Sequence, residues 1–129
     1  MNIKYNDYFE AKIYLGSQID KQREITEKVL INEIHCYQSL FYEKYDCAIP
    51  VRISPTIFVD RSYNEEGWEL GIIKYPAQSL SQEIVRVFSL ELANHLLKKF
   101  AQYRISIIFP DSILLLEDEN NEILYPKIL

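Results

Sequence analysis

The amino-acid sequence predicts an α+β fold, a two-layer sandwich with two helices on one face of an antiparallel sheet. Three observations predict it. Short segments with apolar residues at every second position are interleaved with two long segments whose apolar residues recur at three and four, the periods of strands and of helices. These segments follow one another as strand, helix, strand, strand, helix, strand. With 129 residues, 48% hydrophobic and 26% charged, the chain can close one core, so a single domain over residues 1–129 is expected.

The first strand is predicted from about Glu10 to Gly16, where Ile13 and Leu15 alternate with Lys12 and Tyr14. If the apolar pair faces the core, Tyr14 points away from the helices. From about Gln22 to Tyr45, Ile25, Val29, Leu30, Ile34, Tyr37, Leu40 and Phe41 form the apolar stripe of a long helix, with Asp20 as its N-cap. In "VRISPTIFVD" one face carries Val51, Ile53, Pro55, Ile57 and Val59, and the other Arg52, Ser54, Thr56, Phe58 and Asp60. Pro55 has no amide proton to donate to a ladder, which predicts an edge strand or a bulge.

The polar "DRSYNEEG" turns the chain into "WELGIIKYP", so these two strands form a hairpin. A capping box at Ser79 and Gln82 opens a second helix running to about Gln102, with Ile84, Val85, Phe88, Leu92, Leu96 and Phe100 on its apolar side. "RISIIFP" is the next strand, and "SILLLEDENNEILYPKIL" reads as a C-terminal β-hairpin turning at Asn120 and Asn121. Strand-helix-strand-strand-helix-strand is the ferredoxin-like βαββαβ order, for which a 4-1-3-2 sheet is expected. A mixed sheet with another strand order is the alternative.

That arrangement leaves one sheet face uncovered. It would carry Lys12, Tyr14, Arg52, Thr56, Phe58, Ile73, Tyr75, Ser106 and Ile108, a mixture of aromatic, apolar and basic groups of the kind that marks an interaction surface. Three coverings are considered: the C-terminal hairpin, through Leu114, Leu116, Leu124 and Tyr125; a second copy of the chain; or a small ligand.

Within the first strand, "KIYLGS" resembles the first signature strand of the RNA-recognition motif, whose aromatic residue stacks on a base. The resemblance implies a third strand with a basic residue, a Gly and two aromatics two positions apart. Here that strand is "GWELGIIKYP", in which Trp68 is out of phase with Tyr75, so the resemblance covers the first strand and the element order. Tyr14 is therefore read as an interface or packing residue. A smaller nucleotide site remains open, with Tyr14 and Tyr75 stacking and Arg52 and Arg104 holding a phosphate.

The net charge of −5 argues against duplex nucleic acid as a partner, since such affinity comes from neutralising phosphates. No apolar run of about 18 residues is present, so no membrane span is expected and a cytoplasmic location is inferred. Cys36 and Cys47 match neither a redox pair nor zinc spacing and are expected to be buried free thiols. Only three glycines occur, at positions that exclude a phosphate loop, and no cofactor or metal is called for.

Catalysis would have to draw on His35, His95 and Asp111, two of which would need to meet in one cleft. The reading that follows is a non-catalytic binding protein, self-associating as a homo-oligomer or docking a protein partner through its open face. The alternative is a nucleotide- or small-ligand-binding or sequestering protein. For either role the residues singled out are Tyr14, Arg52, Phe58, Ile73, Tyr75 and Arg104.

Overall fold

Ala11, Ile13 and Leu15 have no solvent exposure, and their alternation along β1 (Glu10–Gly16) fixes which side of the sheet the helices cover. The computed structural model describes residues 1–76 and 79–120. After β1 come α1 (Glu27–Tyr45), β2 (Arg52–Val59), β3 (Asn64–Ile73), α2 (Gln82–Lys99), β4 (Arg104–Phe109) and β5 (Ser112–Glu117). The five strands lie in the order β2-β3-β1-β4-β5, every pairing antiparallel. The first four strands keep the expected 4-1-3-2 order, and β5 is added beside β4. Pro55 lies on β2, an edge strand, as its missing donor requires.

Leu30, Ile34, Tyr37 and Phe41 of α1 and Val85, Phe88, Leu92 and Leu96 of α2 meet Ile13, Leu15, Leu70, Ile72, Ile105 and Ile107 in one core. At its centre Phe88 stands edge-on to Phe41, with ring centroids 4.9 Å apart, and 5.7 Å from Tyr37. Among the described residues no helix is long and apolar enough to cross a membrane.

Several boundaries differ from expectation for local reasons. The first helix starts at Glu27 with Thr26 as N-cap, its hydroxyl accepting from the Val29 amide. Asp20 instead closes a tight turn, accepting from the amides of Gln22 and Arg23 at 2.9 and 2.8 Å. Backbone bonds from Ile19 to Arg23 and from Ile25 to Ser17 then engage groups that a longer helix would have used. Ile25 is still buried, but from this loop, while Val29 and Leu40 are exposed.

In α2 the cap is Ser81, not Ser79, with Oγ accepting from the Ile84 amide at 3.1 Å. That helix ends at Lys99, and Ala101 turns into the left-handed region. Cys36 is exposed and Cys47 partly so, which corrects the expectation of buried thiols; Cys36 follows His35 on the outer side of α1.

Of the expected C-terminal hairpin, the described residues include the first strand. The turn after β4 falls at Pro110 and Asp111, and β5 pairs with β4 from Ser112↔Phe109 to Glu117↔Arg104. The segment thus widens the sheet in its own plane instead of folding over it. Leu114 and Leu116 face the helix side, and Leu116 packs on the core. Leu124, Tyr125 and the turn partner Asn121 lie outside the described residues.

Phe88→Ala should destabilise the protein by about 3–5 kcal/mol, the usual cost of a large cavity where side chains cannot collapse inward. Chemical denaturation of both proteins checks this.

Candidate functional site

The strand register dictates what meets on the uncovered face. Because side chains alternate, cross-strand partners share a side, and one row reads Ser54, Glu69, Tyr14, Ser106 and Leu115. The next row reads Arg52, Gly71, Lys12, Ile108 and Ile113. The face is therefore divided: charged and aromatic over β2, β3 and β1, apolar over β4 and β5.

On the charged half, the Tyr14 hydroxyl donates to Glu69 Oε1 at 3.0 Å, and Lys12 Nζ lies 3.8 Å from the same oxygen. Phe58 stands edge-on to Tyr14 with ring centroids 5.6 Å apart. Stacking a base on both sides requires about 7 Å between rings, twice a carbon contact, so a planar ligand would lie over this pair instead of between its members.

One row further, the Glu10 carboxylate accepts from Arg52 Nη2 on one oxygen and from the Tyr8 hydroxyl on the other, both at 2.9 Å.

The electrostatics follow from these contacts. Burial and the hydrogen bond to the Glu69 carboxylate push the Tyr14 phenol up to about 12, so it remains a proton donor across the physiological range. Burial works against the charge on Glu10, but the bonds from Arg52 and Tyr8 and the positive charges of Arg52 and Lys12 outweigh it, holding the carboxyl below its ordinary value. The same Glu10 bond raises Arg52. Two acids and two bases thus sit in pairs beside two rings.

Of the residues predicted from sequence, Tyr14, Arg52 and Phe58 are brought together here. Ile73 pairs with Glu10 at the margin of the cluster, and Tyr75 lies just beyond the end of β3. Arg104 is engaged elsewhere: it bonds Glu117 at 3.0 Å across β4 and β5, and its guanidinium lies over the Tyr103 ring.

Sequence reasoning missed Glu10, Glu69 and Gly71 as site residues. The signal was their alternation with Ala11, Leu70 and Ile72, which becomes decisive only once the register sets Glu69 opposite Tyr14.

The three candidates for catalysis do not converge. His95 Nε2 lies 2.6 Å from Glu33 between the helices. Asp111 bonds Arg86 at 2.7 Å, and Arg86 is nine residues before His95 in α2, roughly 13 Å along its axis. His35 is exposed on α1.

No family model matches the chain, and no curated protein matches it. Two solved structures do. A phage SAM lyase in complex with S-methyl-5'-thioadenosine superposes with a TM-score of 0.63 over 95% of this chain and 98% of that one, at 14% identity. A phage SAM lyase in its apo state gives 0.61 over 86% and 90%, also at 14% identity. The likeness is one of fold, and it runs nearly end to end.

It also overturns the expectation of a non-catalytic interaction protein. That expectation rested on the missing nucleophile and base sets, and this fold carries a lyase in the neighbouring proteins.

Alkaline titration checks the Tyr14 environment. In the difference spectrum between wild type and Tyr14→Phe, this phenol should ionise near pH 12, and Glu69→Gln should lower that midpoint. Because the folded value lies above the ordinary 10, the pair's stabilisation is complete below pH 10 and is lost as the pH rises through about 12.

Proposed function

We propose that the chain binds S-adenosylmethionine on the charged half of its open sheet face and cleaves it to S-methyl-5'-thioadenosine. The observation that carries this reading is the cluster of Tyr14, Phe58, Glu69, Lys12, Arg52 and Glu10 on one face. The nearly full-length fold likeness to a lyase with bound thionucleoside supports it.

The ligand's chemistry matches the cluster part by part. A purine offers a flat π-face to the exposed sides of Tyr14 and Phe58, a contact worth about 1–3 kcal/mol per base. The amino-acid arm is zwitterionic, and a cluster of paired acids and bases can accept both of its charges without burying a net charge. The sulfonium is cationic and suits the electron-rich ring of Tyr14.

In the reaction, an oxygen of the arm's own carboxylate attacks the carbon bonded to sulfur and closes a lactone, the carbon–sulfur bond breaks with its electron pair going to sulfur, and the sulfonium charge is lost. A carboxylate fixed on the sulfonium would stabilise the starting state more than the transition state and slow the step. Glu69 is better suited to the arm's ammonium group, whose charge persists throughout. The phenol of Tyr14 orients that carboxylate through the 3.0 Å bond.

The test is incubation with S-adenosylmethionine followed by chromatography for S-methyl-5'-thioadenosine, together with calorimetric titration of that product. Formation above a protein-free control is expected, and Tyr14→Ala should weaken product binding about tenfold through loss of the stack. Binding without cleavage would support sequestration instead. Neither binding nor cleavage would overturn the proposal.

A further inference from the structure

Gly71 sits on β3 between Lys12 of β1 and Arg52 of β2. A Cβ at this position would lie 2.5 Å from Arg52 Nη2, 2.7 Å from its Cζ and 3.2 Å from its Nε. The guanidinium therefore lies flat on the sheet in the space that a side chain at position 71 would fill. From there it reaches across β3 to Glu10 at 2.9 Å. The Glu10 side chain beneath is only 12% exposed, whereas that of Arg52 is 46% exposed, so the arginine caps the acid and keeps an outer edge toward solvent.

A guanidinium carries five N–H donors in a rigid plane whose edges match a carboxylate. One edge of Arg52 is held by Glu10, which removes the rotamer freedom a long side chain would otherwise lose on binding. The rest of the plane is oriented before any ligand arrives. Lys12, on the other side of Gly71 in the same row, adds a second positive charge to that row.

We propose that Gly71 is a positioning residue that seats Arg52 flat on the sheet, and that Arg52 recognises the carboxylate of an amino-acid arm. The inference rests on the thionucleoside reading and adds a selectivity to it: the site prefers nucleosides that carry such an arm over those that lack one. Substrate is thereby held more tightly than S-methyl-5'-thioadenosine, which favours product release.

Calorimetric titration with two stable probes tests this. S-adenosylhomocysteine carries the arm; S-methyl-5'-thioadenosine does not. The ratio of the two affinities is the readout, and it should favour the armed nucleoside in the wild type. Arg52→Gln should lower the ratio about tenfold, the usual loss for a charge-assisted pair.

Gly71→Ala should lower the ratio comparably, because the nearest atoms a methyl group meets all belong to the movable Arg52 side chain. In the Arg52→Gln background, Gly71→Ala should change the ratio no further, a result that general damage to the strand would not give.

A wild type that binds both probes with a ratio unaltered by either variant overturns the role of Gly71 and Arg52 while leaving the thionucleoside reading intact. A wild type that binds neither probe overturns both.

Discussion

β1 is hydrogen-bonded on both edges, to β3 and to β4, and its residues Ala11, Ile13 and Leu15 are completely buried. Everything on the open face depends on that strand keeping its register. A slip of one residue would send Lys12 and Tyr14 into the core and Ile13 into solvent, so burial of the three apolar side chains also holds the site in place. The far end of the strand is fixed by close backbone approach. A Cβ at Gly67 would lie 2.4 Å from the Leu15 carbonyl oxygen, so only glycine permits this contact between β3 and β1.

The open face shows how little net charge says about a site. The chain as a whole is acidic, yet on this face Glu10 meets Arg52 and Glu69 meets Lys12. Partly exposed pairs of this kind contribute at most about 1 kcal/mol to stability. Their consequence is orientation: each carboxylate has a defined direction, and the hydroxyls of Tyr8 and Tyr14 fix the directions further. The two rings, already in edge-on contact, present a surface and not a slot. Such a face suits a flat ligand with a mixed-charge arm.

Sequence periodicity exposed the fold almost completely, because alternation in β1 and β2 and the stripes in both helices each have a clean period. Pro55 marked an edge through its missing donor. The start of α1 escaped because Asp20, a good cap by composition, has equal use in a turn, and only the backbone bonds of Ser17 and Ile19 decide between them. β5 is legible as a strand, but its apolar residues fit either a lid over the open face or an added strand, and only the pairing with β4 decides. Tyr14, Arg52 and Phe58 were recognisable as unburied residues of unusual type. Their acidic partners were not, since Glu10 and Glu69 look like ordinary surface charges until the register brings Glu10 within reach of Arg52 and sets Glu69 opposite Tyr14.

Trp68 and Glu69 are neighbours in sequence and point to opposite sides of β3. The indole, the chain's one tryptophan, donates from Nε1 to the Ile25 carbonyl at 2.8 Å and so ties β3 to the loop preceding α1. Its emission consequently reports the docking of that loop on the helix side of the sheet. The tyrosine absorbance, by contrast, includes the ring that faces a ligand. One chain thus carries two optical probes separated by the thickness of a single strand, one for the integrity of the scaffold and the other for the surface it supports.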